Sequence, residues 1–157
     1  MLRAACLILA SCVVVASASA SPATDFENAS QKWRAAGVKS YSFLYEWAGG
    51  VVIAPKCSGA KIRVTVRDGV SQTPVVVHGY DKCARGTRGK AIGIDVPPTV
   101  EALFAEIGES LAKGEEKVAV SATYDPTWGI PLKYYAANKM LSDNDSGFVI
   151  SDFKRLD

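Results

Sequence analysis

The sequence predicts an α+β domain in which about six strands form one antiparallel sheet and two helices pack on one face. Three observations lead to this class. Two segments carry apolar residues at helical spacing, the remaining apolar segments are short and read as strands, and each helix precedes three strands. The resulting order is α-β-β-β-α-β-β-β, and meanders of this kind favour antiparallel pairing with both helices on the same side.

The first half of the chain contains one helix and three strands. Residues 24–27, Thr-Asp-Phe-Glu, form a capping-box pattern, which predicts a helix from about Asp25 to Ala36. Strands at 61–67 and 70–77 form a hairpin around Asp68-Gly69, and Pro74 predicts an edge position or a bulge in the second of them. The first strand of the chain has an aromatic residue at every second position: Tyr41, Phe43, Tyr45 and Trp47.

The aromatic face of that first strand has two interpretations. If exposed, it would be a surface for a partner or a glycan. However, the apolar residues of the helices, such as Trp33 and Leu103, need partners of their own. We therefore expect the aromatic face to form core beneath the helices.

The second half repeats the order of one helix and three strands. Residues 78–95 are rich in glycine and charge and are predicted to form a long loop. Thr99 is placed to cap a helix that ends near Gly114. The apolar stripe of this helix is Val100, Leu103, Phe104, Ile107 and Leu111. Strands follow at 118–124, 130–137 and 148–153, separated by segments rich in turn-forming residues.

The first 20 residues have the pattern of a secretory signal: Arg3, an apolar run over 4–16, and Ala-Ser-Ala at 18–20. This predicts a signal peptide at 1–20, a single α+β domain at 21–157, and a periplasmic or secreted location. The apolar run is shorter than the roughly 20 residues that a membrane helix needs, so no membrane span is expected. A lipoprotein is the alternative, because residues 9–12 spell a lipobox with Cys12 as the acylated residue.

The two cysteines beyond the signal, Cys57 and Cys83, are 26 positions apart and predict a disulfide in an oxidising compartment. In the chain-entropy model such a loop contributes about 3.5 kcal/mol of stability. A redox or metal site is the alternative, but there is no C-x-x-C and His78 is the only histidine. We therefore predict no metal and no cofactor. Removal of Arg3 with the signal leaves a nearly neutral domain, which argues against nucleic acid as a partner.

The segment 124–131 is the strongest candidate site, because it brings Tyr124, Asp125 and Trp128 into one turn. As a ligand-binding tip, it would stack its ligand on Trp128 and accept a hydrogen bond at Asp125. As a rigid hairpin, it is explained by Asp125, Pro126 and Gly129, which are all typical turn residues. Turn chemistry alone does not require Trp128.

Several segments together resemble a known family, the bacterial exported family catalogued as domain of unknown function 6174. The resemblance rests on Trp33 and on residues 38–43, 64–69, 100–104 and 124–131. It covers about Phe26 to Phe153, and its most specific element is Tyr-Asp-Pro-x-x-Gly-x-Pro. It implies a signal-bearing envelope protein, often a lipoprotein, with no assigned reaction. Members tend to carry cysteines close together after the first strand, whereas here Cys57 stands alone.

Three further patterns are weaker. His78 with Tyr80 and Asp81 suggests a hydrolytic set, but no Gly-x-Ser-x-Gly elbow accompanies it, and we expect an ordinary strand-end histidine. A basic loop suggests an anion site or simply a solvated loop; its residues are Lys82, Arg85, Arg88 and Lys90. Asp143 and Asp145 lack the spacing of a calcium loop and predict a turn.

Together these observations predict an exported cell-envelope domain that acts as a non-enzymatic binding or interaction module. Its partner would be a protein or a small molecule of the envelope. One alternative is a secreted enzyme inhibitor or docking factor that presents the turn from Asp125 to Trp128 to a partner's cleft. A second alternative is a hydrolytic enzyme that uses His78.

Overall fold

The computed structural model describes residues 21–48, 61–78, 98–140 and 145–156. These residues form two helices and a sheet of seven strands, so the predicted α+β class is confirmed. The elements are α1 (Pro22–Ala36), β1 (Tyr41–Trp47), β2 (Lys61–Arg67), β3 (Val70–Ser71), β4 (Val75–His78), α2 (Val100–Ala112), β5 (Val118–Tyr124), β6 (Pro131–Asn138) and β7 (Ser146–Arg155). The predicted signal peptide, Cys12, Cys57, Cys83, the basic loop and Asp143 lie outside the described residues.

The strands form an antiparallel sheet in the order β3-β2-β1-β7-β6-β5, and β4 pairs with β2 beside β3. The predicted strand at 70–77 is thus divided into two short strands. The gap between them, residues 72–74, includes Pro74, which has no N–H to donate to the ladder. The last strand along the chain, β7, lies inside the sheet between β1 and β6, and this leaves β5 at one edge.

Both helices begin at a capping side chain. The hydroxyl of Thr99 accepts the N–H of Ala102, as predicted for α2. Helix α1 begins earlier than the predicted Asp25, because the hydroxyl of Ser21 caps it and Pro22 suits a first helical position. Helix α1 ends at Gly37, whose φ of 61° is in the left-handed region.

The core lies between the helices and one face of the sheet. Tyr41, Phe43 and Tyr45 are buried there, which confirms the core interpretation, whereas Trp47 at the end of β1 is 38% exposed. Other buried residues of the core come from both helices and from strands β2, β6 and β7: Trp33, Val64, Leu103, Ile107, Tyr134, Phe148 and Ile150.

A polar cluster at the rim of this core, centred on the exposed Glu101, joins the two helices to β1. Glu101 of α2 accepts the indole N–H of Trp33 at 2.9 Å and the hydroxyl of Tyr41 at 3.2 Å. The same Tyr41 hydroxyl accepts the N–H of Val100 at 3.0 Å. Within the described residues, no helix has the length and apolar character to cross a membrane.

Candidate functional site

The connection between β5 and β6 is a tightly bonded turn. One carboxylate oxygen of Asp125 accepts the N–H of Thr127 at 2.9 Å and that of Trp128 at 2.6 Å. The main chain of Asp125 bonds to Ile130 and Gly129, and Gly129 has a φ of 77° that favours glycine. These hydrogen bonds explain Asp125 as a turn residue, which agrees with the rigid-hairpin interpretation of the sequence.

Trp128 is not the freely exposed tip that a stacking site requires. Its side chain is half-buried and packs against the core. The guanidinium of Arg155 lies over its ring, 5.1 Å from the centroid, in cation–π geometry. The indole that turn chemistry did not require thus has a role in joining the turn to the end of β7.

The turn is also fixed to α1. The ammonium of Lys32 donates to the carbonyl oxygen of Pro126 at 2.6 Å. Gly129 lies so close to the helix that a Cβ at this position would overlap the carbonyl oxygen of Ala29 and approach the Cβ of Lys32 to 3.1 Å. These contacts hold the turn and the helix as one unit.

An open groove of about 420 Å³ lies between α1 and the end of β5; we call it the α1–β5 groove. Its α1 side consists of positions at helical spacing, and its other side consists of β5 and the turn. The lining residues are Asp25, Asn28, Ala29, Lys32, Ala122, Thr123, Tyr124, Asp125, Pro126 and Gly129. Two of the three predicted site residues, Tyr124 and Asp125, therefore belong to the groove, and Trp128 does not line it.

Tyr124 has an unusual environment. Its ring is stacked on that of Phe104, with the centroids 6.2 Å apart. Its hydroxyl is buried and has no hydrogen-bond partner among the described residues. Burial, and after it the negative charge of Asp25, raises the pKa of Tyr124 to about 12, so the phenol stays protonated at neutral pH.

A second, smaller cavity of about 150 Å³ lies at the start of the same strand. Its walls are mainly apolar, and we call it the β5-start pocket. It is lined by Pro22, Leu111, Glu115, Val118, Ala119, Val120 and Lys139. A third cavity, of about 270 Å³, lies between the helices beside Phe26, Trp33 and Phe104.

The structure does not bring His78 into any of these three cavities. His78 is exposed at the end of β4, opposite Lys61 of β2. Its suggested companions Tyr80 and Asp81 lie outside the described residues. In the described part of the chain, no three histidine, cysteine or acidic side chains are grouped so that they could hold a metal ion.

The predicted turn at 143–145 is described only at Asp145. Its carboxylate accepts the hydroxyl of Tyr135 and, at 3.2 Å, the N–H of Asn138. These bonds join Asp145, just before β7, to β6.

Sequence reasoning missed the α1 side of the groove. Asp25, Asn28 and Lys32 lie three and four positions apart, so their spacing alone could have shown a polar stripe on the helix. No local signal could have placed this stripe beside β5, since Lys32 and Pro126 are 94 positions apart in the chain.

Comparison with known proteins gives one finding. A family model described as a family of unknown function (DUF6174) matches residues 25–155, nearly all of the chain that follows the predicted signal. No curated protein and no solved structure matches the chain.

Proposed function

The chain belongs to the DUF6174 family, whose description assigns no function, and we propose that it is a non-enzymatic binding module that uses the α1–β5 groove. The observation that carries the proposal is an open groove of about 420 Å³ whose α1 wall carries two polar side chains, Asp25 and Asn28, that no described hydrogen bond or ion pair engages. Clefts of this size, with a few convergent polar groups, are the usual form of a ligand site.

The available chemistry of the groove favours a ligand with hydrogen-bond donors and positive charge. Among the described residues, no hydrogen bond or ion pair engages the side chains of Asp25, Asn28 or Thr123. Lys32 already donates to the turn, and Asp125 already accepts from it. Among the charged groups of the groove, the carboxylate of Asp25 is therefore the one without a hydrogen bond or ion pair to a described residue.

The polar groups that line the α1–β5 groove favour binding over catalysis. A general base and a nucleophile within hydrogen-bond reach of each other are the usual signature of covalent catalysis. In the described groove, the free polar groups are the carboxylate of Asp25, the amide of Asn28 and the buried phenol of Tyr124. This set suits recognition. Asp125 is engaged within its own turn, and the ring of Trp128 is covered by Arg155, which weakens the docking-factor alternative. The exposed position of His78 weakens the hydrolase alternative.

The proposal includes export to the cell envelope. It is supported by the signal-like residues 1–20 and by the pair Cys57 and Cys83. The intact mass of protein purified from its host tests this directly. A chain that begins at Ser21 supports a periplasmic or secreted protein, and a lipid-bearing chain that begins at Cys12 supports a tethered lipoprotein.

The binding function is tested by NMR titration of the ¹⁵N-labelled protein with three probes: tri-lysine, chitotriose and inorganic phosphate. We expect tri-lysine to shift the amides of Asn28 and Thr123 and the Asp25→Asn variant to lose that response. Gln31→Ala, which changes an exposed position of α1 outside the groove, is the matched control and should respond as the wild type does. If all three probes leave the groove amides unshifted, or if Asp25→Asn responds fully, the proposal fails.

A further inference from the structure

We propose that the partner of this protein is an extended polypeptide segment, which adds to the free edge of β5 as a further strand of the sheet. The inference rests on the proposed function, because the α1–β5 groove then receives a side chain of that segment. In this binding mode, main-chain hydrogen bonds give affinity, and pockets for alternate side chains give specificity.

Among the described residues, no main-chain group pairs with the outer edge of β5, so its outward N–H and C=O groups form a regular row. The N–H of Lys139 donates to the carbonyl of Lys117 at 2.9 Å, just before the first paired residue of β5. Hydrogen-bonded pairs alternate along an antiparallel ladder, so residues 119, 121 and 123 bond to β6. The N–H and C=O groups of Val120 and Ala122 therefore point away from β6, toward the edge. Another extended backbone is the ligand that satisfies such a row.

The two edges of the described sheet differ in how well they are protected against the addition of a further strand. At one edge, β3 has two residues and β4 has four, the strands are interrupted near Pro74, and the register shifts beside Lys61. These features discourage strand addition. At the other edge, β5 has seven residues, Val-Ala-Val-Ser-Ala-Thr-Tyr, with no lysine or proline, and its register shifts only at Thr123 and Tyr124. Within the described residues, β5 is the unprotected edge.

Two cavities lie along this edge, on the side of the sheet that faces the helices. The β5-start pocket is at Val118–Val120, and the α1–β5 groove is at Ala122–Tyr124. An added strand directs every second side chain to this side, so the two cavities receive side chains about four positions apart. Leu111 and Val120 make the first cavity suited to an apolar side chain, and the carboxylate of Asp25 makes the second suited to a basic one.

The experiment uses acetylated, amidated nine-residue peptides of threonine and valine. One carries leucine at position 3 and arginine at position 7, a second carries the reverse order, and a third has glutamate in place of arginine. We expect one of the arginine peptides to slow hydrogen exchange at the amides of Val120 and Ala122. The glutamate peptide should bind at least about tenfold more weakly, and Asp25→Asn should reduce that difference while Gln31→Ala preserves it.

A pair of N-methylated peptides tests the backbone pairing itself. One carries N-methyl groups on the odd-numbered amides and the other on the even-numbered amides, so only one of them blocks the amides that face β5. We expect that peptide to bind at least about tenfold more weakly and the other to retain binding. Equal behaviour of the two overturns strand addition.

The remaining outcomes separate this inference from the proposed function. Shifts at Asn28 and Thr123 with unchanged exchange at Val120 and Ala122 keep the groove as a binding site and reject strand addition. If a peptide library with positions 3 and 7 randomised changes neither the groove amides nor the hydrogen exchange at Val120 and Ala122, that result rejects both the binding groove and strand addition. A mass that doubles with concentration in the absence of peptide, with protection at Val120, identifies a second copy of the chain as the occupant and rejects a separate partner.

Discussion

Gly129 offers the sharpest test of how the candidate site is built. This residue has a φ of 77° and lies against the main chain of α1, so Gly129→Ala introduces two separate costs. A side chain in the left-handed region costs about 1 kcal/mol. The new Cβ also overlaps the carbonyl oxygen of Ala29 and lies 3.1 Å from the Cβ of Lys32, so the helix or the turn has to move.

The overlap is with backbone, which cannot rotate out of the way as a flexible side chain can. Overpacking of this kind costs about 2 kcal/mol, which brings the expected loss for Gly129→Ala to about 3 kcal/mol. For a domain of this length, that loss lowers the melting temperature by about 10 °C. Urea and thermal unfolding, followed by far-UV circular dichroism, measure both quantities.

Gly69 supplies the matched control. Its φ of 79° is nearly the same, but a Cβ there meets no atom within 4 Å. Gly69→Ala should therefore show the conformational cost alone, about 1 kcal/mol. The difference between the two variants measures how firmly the turn is held against α1. If both variants lose the same stability, the turn does not pack tightly against α1. The reasoning that the turn and α1 form one rigid unit around the groove is then refuted.

Three further predictions concern buried groups and the cysteines. Tyr124→Phe should raise the free energy of unfolding by about 1 kcal/mol, because it removes a buried hydroxyl that has no described partner. Tyr134→Phe should lower the free energy of unfolding by about 1 kcal/mol, because that hydroxyl shares a 2.7 Å hydrogen bond with Ser110. Urea titrations that rank the two variants the other way would contradict this. Burial, and then the charge of a neighbouring glutamate, raises the pKa of Glu106 above its ordinary 4.5, so the folded state binds this proton more tightly and loses stability as the pH rises through the folded pKa. Glu106→Gln should thus match the wild type near pH 3.5 and exceed it near pH 8, and a difference independent of pH would reject the assignment. In the chain that begins at Ser21, reduction should lower the stability by about 3.5 kcal/mol and expose two alkylatable thiols if Cys57 and Cys83 are bonded; thiols of that chain that react without reductant would exclude the bond.

The elements that the sequence predicted well are those with a local signal. The aromatic alternation of β1 and the apolar stripe of α2 each indicate a burial face directly, and both faces are buried except at their ends, at Trp47 and Leu111. Pro74 predicted an edge position or a bulge, and β3 and β4 form an edge of the described sheet beside β2. The start of α1 was missed because the pattern at 24–27 fits a capping box, while the hydroxyl of Ser21 caps the helix one turn earlier.

The candidate site was predicted only in part, because its two walls are brought together by tertiary packing. The turn motif identified Tyr124 and Asp125, since turn chemistry is local. Trp128 is covered by Arg155 and packs against the core, and both partners come from parts of the chain that have no local relation to the turn. The α1 wall is more remote still, and periodicity reports that a helix face is polar without reporting what it faces.

The topology explains why a groove and an open edge occur together. Strand β7 pairs with both β1 and β6, which closes the middle of the sheet and leaves β5 as its outer strand. Helix α1 packs beside that strand and is held there by the contacts of Lys32 and Gly129 with the turn. In the described part of the chain, the arrangement that completes the core thus sets a polar helix face next to a strand edge without a partner. A change such as Gly129→Ala should therefore lower stability and weaken peptide binding together, whereas Gly69→Ala should lower stability alone.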